Sequence, residues 1–272
     1  MLATILGLMR FALIGIATFY IAILVILWSM QSRLLYPAPQ HRPAPPAGFS
    51  EVFLSAEDGI ETRAFFRPAE DGLPTVLFYH GNGETLDGSI AGTRALAERG
   101  YGLLLPEFRG YGGNPGTPSE EGFYADGRAA MAWLEQNGID RGQTIISAFS
   151  IGTGKAVQLA TEHDIAALML IAPFRSLAGL ASEKLPWLPV RWLIQDHYES
   201  QEKLTGFSKP VLIAHGSADT LIPAAHGRDL AKTTPDATFL LFDGLGHNQM
   251  YHGDVMVAQL EWLNMLDLGR GE

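Results

Sequence analysis

Five short stretches fix what this chain can fold into: TVLFYH (75–80), YGLLLP (101–106), TIISAF (144–149), IAALMLIA (165–172) and PVLIAH (210–215). Each is apolar almost throughout instead of at every second residue, so each needs cover on both faces. Helix-competent sequence lies between them, up to Arg99 and again from Glu121 to Gln136. Buried strands alternating with helices predict a parallel sheet with helices on both sides. EVFLSA (51–56) and Ile60 to Arg67 read as an opening hairpin around Glu57, Asp58 and Gly59, and ATFLLFD (237–243) as a last strand. No internal repeat interrupts this order.

The chain of 272 residues is long enough for one large α/β body, and its 47% hydrophobic content excludes disorder. A formal charge of −10 argues against nucleic acid as a partner, since phosphate backbones are bound by clustered Lys and Arg. The absence of cysteine removes disulfides, thiolate nucleophiles and Cys-based metal sites together.

Ahead of the body, Phe11 to Met30 is an uncharged run of 20 residues flanked by Arg10 and Arg33. As a helix it extends about 30 Å, the thickness of a bilayer's hydrocarbon core. Trp28 and Tyr36 stand where interfacial aromatics belong. A cleaved signal peptide has a shorter apolar region and a small-x-small site, and SMQSRLLYP supplies none. The run therefore reads as an uncleaved single-pass anchor, with an arginine distribution that does not set its orientation. Pro37 to Gly48 carries five prolines and reads as an extended spacer. The expected domains are an anchor over 1–33, a Pro-rich linker over 34–48 and the α/β body over 49–272.

Within the body, 37 residues (173–209) separate two strands, far more than an ordinary connection. They include Trp187, Leu188, Trp192, Leu193 and Ile194, which suit a lid over a pocket or a helical insertion packed on the core. Trp187 and Trp192 are the candidate substrate contacts, favouring apolar acyl groups.

The stretch SAFSIGTG (147–154) raises the question of chemistry, because it sets Ser150 at a strand-to-helix corner among small residues. A nucleophile elbow has this form, G-x-S-x-G, since small neighbours let the turn close and leave the hydroxyl exposed. Gly152 fits, and Ala148 replaces the first glycine. A phosphate loop would need glycine at 149 and Ser or Thr at 156, where Phe149 and Ala156 stand. Serine needs a base, oriented in turn by an acid. On a sheet of this kind the order is Ser, Asp or Glu, then His. HGSADTLIP (215–223) offers Asp219 and GLGHNQM (244–250) offers His247, each just beyond a strand. The expected triad is Ser150, Asp219 and His247, with His252 as a competing base and Asp243 as a competing acid. HGNG (80–83) follows the third strand, so the backbone amides of Asn82 and Ile151 are the expected oxyanion hole.

Together YHGNGE, PEFRGYGGNPGTPSEEG, AFSIGTG, HGSADTLIP and GLGHN resemble the α/β-hydrolase superfamily over about residues 34–265. They look most like its membrane-anchored serine hydrolases related to bud emergence protein. The resemblance implies the α/β-hydrolase fold, a serine triad on Ser150, Asp219 and His247, and a structural role for FRGYG (108–112). The function expected is hydrolysis of carboxylic esters or thioesters through an acyl-enzyme, on a small-molecule or lipid substrate, with no metal or organic cofactor. An amidase or peptidase would use the same triad. A non-catalytic anchored binding module is the remaining alternative, favoured only by Ala148.

Overall fold

The computed structural model describes residues 2–70, 72–251, 253–266 and 268. Eight strands form one sheet: β1 (Ser50–Ser55), β2 (Glu61–Arg67), β3 (Thr75–Tyr79), β4 (Gly102–Pro106), β5 (Thr144–Phe149), β6 (Ala167–Ile171), β7 (Val211–Gly216) and β8 (Ala237–Phe242). Their spatial order is β1-β2-β4-β3-β5-β6-β7-β8. β2 runs antiparallel to both β1 and β4, and every later pair is parallel. All eight runs singled out in the sequence are strands, with ends within two residues of those expected.

The helices are α1 (Leu2–Leu35), α2 (Leu86–Glu98), α3 (Glu120–Gln136), α4 (Gly152–Glu162), α5 (Leu177–Lys184), α6 (Val190–Leu193), α7 (Ser200–Leu204), α8 (Ala225–Thr233) and α9 (Gly253–Met265). The five central strands, β3 to β7, are buried at every residue, which is why they read as continuous apolar runs. Two apolar clusters cover them. One, on the α3, α4 side, gathers Tyr79, Phe108, Phe123 and Leu159; the other, on the α2, α9 side, gathers Phe78, Phe149, Met250 and Trp262.

FRGYG performs a structural task. The guanidinium of Arg109 is buried and donates to Asp126 at 2.7 Å and Asp58 at 2.6 Å, joining the β1–β2 turn to α3. The insertion at 173–209 is built from α5, α6 and α7.

α1 is the one helix among the described residues long and apolar enough to cross a membrane, with a mean hydropathy of 2.5 over its window and none of that window buried. The Pro-rich segment after it forms no helix or strand and lies along the body as a strap. Arg63 Nη2 donates to the Pro43 carbonyl at 2.6 Å and Gly112 N–H to the Pro39 carbonyl at 2.9 Å. Tyr36 is buried at its start and donates to Asp196 at 2.7 Å in the insertion, with the Tyr198 hydroxyl 3.0 Å away.

Lys155 in α4 is fully buried with its Nζ 4.2 Å from the Tyr79 ring centroid and 5.0 Å from that of Phe108. Burial pulls its pKa down to about 7, against the opposing pull of Asp126. The unfolded side chain titrates near 10.4. Between these values the native state binds fewer protons than the unfolded chain, so this residue makes stability rise with pH across that window. Lys155→Met should remove the slope. In unfolding measurements in detergent at about pH 7 and about pH 9.5, the variant should gain less stability at the higher pH than the native protein. Equal gains would contradict a depressed Lys155.

Candidate active site

Ser150 follows directly on β5 with φ +53, a left-handed backbone that a side-chain-bearing residue adopts only under constraint. Several contacts impose it. Ser150 N–H donates to the Ile171 carbonyl at 2.9 Å, and Thr153 donates its hydroxyl to the Ser150 carbonyl at 2.6 Å as α4 begins. The space around Gly152 and Gly154 explains the small residues. A Cβ on Gly152 would lie 2.7 Å from the His80 carbonyl oxygen and 2.8 Å from that of Tyr79, and one on Gly154 would lie 2.4 Å from the Tyr198 ring. Ala148 is a fully buried strand residue paired with Tyr79 and Leu170, upstream of the left-handed turn itself.

Asp219 stands after β7 and uses its two oxygens differently. Oδ1 accepts the Leu221 N–H at 2.9 Å and the Ile222 N–H at 2.8 Å, closing a turn of the kind aspartate commonly makes. Oδ2 is left to meet His247 Nδ1 at 2.6 Å. Burial alone would push this carboxyl up. The interactions with His215 and His247 and the Ile222 amide outweigh it and hold Asp219 well below the usual carboxylate range.

His247 begins a single 3-10 turn, His247–Tyr251, after β8. With Nδ1–H assigned as donor to Asp219, its Nε2 is free to accept and lies 2.9 Å from Ser150 Oγ. The Phe149 ring packs beside the imidazole with centroids 4.9 Å apart. Gly216 leaves the histidine loop room to pass, since a Cβ there would meet the Leu245 carbonyl oxygen at 2.2 Å. Ser150, Asp219 and His247 are therefore brought together. Asp243 is not: its Oδ1 accepts from Ser217 at 2.9 Å. His252 lies outside the described residues.

The HGNG loop packs against the elbow, because the His80 carbonyl faces Gly152 and Gly81 lies against the Phe149 ring. Ile151 caps α4 immediately after Ser150. The Asn82 side chain is fastened on both sides, donating to the Leu35 carbonyl at 2.5 Å and accepting from the Tyr111 hydroxyl at 2.7 Å. Trp187 and Trp192 stand apart from this centre on the surface of the insertion, 63% and 90% exposed.

Three supporting residues went unmarked in the sequence. Buried Glu107 lies 2.8 Å from His80 Nε2 through Oε1 and accepts the Leu86 N–H through Oε2. Burial alone would lower the His80 pKa, but Glu107 and the Gly81 carbonyl raise it. Glu84 accepts the Gly81 N–H at 3.0 Å and the Tyr251 hydroxyl at 2.9 Å, tying the HGNG loop to the histidine turn. The available signal was Glu84 itself, directly after HGNG. Glu107 and Tyr251 depend on contacts across the fold. Among the described residues no group of three or more His, Cys, Asp or Glu could hold a metal ion.

A family model described as the alpha/beta hydrolase fold matches residues 74–196. An uncharacterized protein of Mycobacterium tuberculosis is 38% identical over 248 residues, covering 86% of this chain and 87% of the relative. The chain belongs to the α/β-hydrolase family. An alpha/beta hydrolase domain-containing protein of Caenorhabditis elegans is 34% identical over 203 residues, 72% of this chain and 58% of that protein. Among solved structures, an esterase of Pyrococcus furiosus superposes with TM-score 0.70 at 16% identity, covering 84% of this chain and 97% of its own. A thermophilic esterase of Thermogutta terrifontis gives TM-score 0.62 at 19% identity over 80% of this chain and 99% of its own. At those identities the likeness is one of α/β-hydrolase fold.

In this α/β hydrolase the elbow depends on Gly152. Gly152→Ala forces a Cβ onto two backbone oxygens that cannot rotate away, and should cost about 1–3 kcal/mol of stability. Gly253→Ala, where a Cβ meets open space, should stay within about 0.5 kcal/mol. Thermal melts of both variants check the difference. Equal melting temperatures would refute the crowding argument.

Proposed function

We propose that the protein is a membrane-anchored serine hydrolase that cleaves carboxylic esters through an acyl-enzyme. The observation that carries this reading is the single imidazole between Ser150 Oγ and Asp219 Oδ2, at 2.9 Å and 2.6 Å. Serine is a weak nucleophile until a base takes its proton, and this spacing is that of a base already in hydrogen-bond reach. His247 Nε2 removes the Ser150 proton as Oγ attacks the ester carbonyl. Asp219 keeps Nδ1 protonated and stabilises the imidazolium that forms. The oxyanion is received by the amides of Asn82 and Ile151. Collapse breaks the bond to the leaving oxygen, which takes the proton from His247, and the acyl group stays on Ser150. Water then attacks with His247 again as base, releasing the acid and restoring the serine hydroxyl. Thioesters follow the same course with a thiol leaving.

The anchor reading rests on the uncharged run within α1 and its bracketing arginines. The substrate reading, apolar acyl esters, rests on the apolar insertion that follows β6. The exposed indoles of Trp187 and Trp192 suit contact with lipid.

Ser150→Ala should abolish covalent labelling by a fluorophosphonate probe and lower ester turnover by several orders of magnitude, with an unchanged melting temperature. Labelling that survives the substitution would place the nucleophile elsewhere. The pH profile follows from the two partners of the serine. Asp219, held well below the usual range, stays ionised through the region where imidazole takes up a proton. The efficiency of acylation should fall on the acid side with the slope of one proton. A profile flat down to about pH 4 would exclude a histidine base.

A further inference from the structure

α1 and the insertion run side by side well beyond their junction with the body. The Tyr20 hydroxyl donates to the Trp187 carbonyl at 3.4 Å, and eleven residues later Gln31 bonds to Leu193 and Gln195 of the insertion. At 1.5 Å per residue that shared length is about 16 Å, nearly all of it beside the uncharged run of α1. Between the two lies a cleft of about 140 Å³, with Leu27, Leu34 and Leu35 on one wall and Leu185, Leu188 and Leu193 on the other. Gln31 is its main polar lining residue, and it is already engaged. Its Oε1 accepts the Gln195 N–H at 2.8 Å, and its Nε2 donates to the carbonyls of Trp28 and Leu193. The remaining walls are almost entirely hydrocarbon.

Each wall connects to an element of the candidate site. The α1 wall ends at Leu35, one hydrogen bond from the HGNG loop through Asn82. The insertion continues from β6, whose last residue, Ile171, accepts the Ser150 N–H at 2.9 Å. An apolar cleft bordered by a membrane-length helix and joined at Leu35 to the HGNG loop fits one kind of occupant.

We propose that the cleft between α1 and the insertion holds a single acyl chain of a bilayer-resident ester while its carbonyl meets Ser150. α1 is then one wall of the substrate site as well as an anchor. This rests on the serine-hydrolase reading above. A cavity of about 150 Å³ accommodates benzene, so the cleft takes one chain segment of about six carbons and not two chains side by side.

The test uses the full chain in phosphatidylcholine vesicles and a decyl fluorophosphonate with a photoreactive diazirine at the chain end. After labelling and irradiation, peptides are mapped by mass spectrometry. The expected result is phosphonylated Ser150 with crosslinks in residues 27–35 and 185–194. Phosphonylated Ser150 with crosslinks confined to other segments overturns the cleft and leaves the hydrolase reading standing. No modification of Ser150 removes the hydrolase reading, and the cleft proposal with it. As a second measurement, the ratio of efficiencies on hexanoyl and acetyl esters should fall at least fivefold in Leu188→Trp, which fills the cleft, since each seated methylene contributes up to about fourfold. In Leu188→Ala the preference should move to longer chains. A ratio unchanged in both variants overturns the proposal.

Discussion

The whole centre depends on the left-handed backbone at Ser150. That conformation lifts the hydroxyl clear of a fully buried strand, and it persists only where the surroundings leave no relaxed alternative. Those surroundings are the packing of α4 against the carbonyl ends of β3, which requires Gly152, and the bond from the Ser150 amide to Ile171 on the neighbouring strand. The parallel sheet therefore does more than bury apolar surface. Three adjacent strands, β3, β5 and β6, hold one residue in a strained state.

Around that residue, loops from distant parts of the chain are fixed by carboxylates with two tasks each. Asp219 closes its own turn with one oxygen and orients His247 with the other. Glu107 binds His80 and the start of α2, and Glu84 binds the HGNG loop and Tyr251. A polar group shut away from water without partners is costly, so each carboxylate constrains the elements that supply its donors. The fixed distances among these side chains follow from that requirement.

The strand order of the body was legible because two-sided burial leaves a plain mark, a run without polar residues. Ser150, Asp219 and His247 were legible because strand ends are readable and each residue lies just past one. The role of Asp219 in a turn, an ordinary property of aspartate, proved compatible with its contact to His247, because a carboxylate has two oxygens. Glu107 and Tyr251 were not legible, since their importance lies in partners 27 and 167 residues away. The same limit applied at the Pro-rich segment. Its composition announces an extended chain, but the carbonyls of Pro39 and Pro43 are held by Gly112 and Arg63, which only the folded body brings to them. Trp187 and Trp192 stood out by size, yet the smaller Leu188 and Leu193 line the cleft.

That strap has a kinetic consequence. A chain held to its helix by a slack tether samples many heights and tilts above a surface, whereas one bound at Tyr36, Pro39 and Pro43 keeps a fixed attitude. With α1 in a bilayer, the serine hydroxyl moves only as the whole molecule does, by sliding and spinning in the plane. For the bilayer-resident ester proposed above, encounter becomes a two-dimensional search. Its rate is then governed by the mole fraction of substrate among the surrounding lipids, and diluting the vesicles in buffer leaves it unchanged.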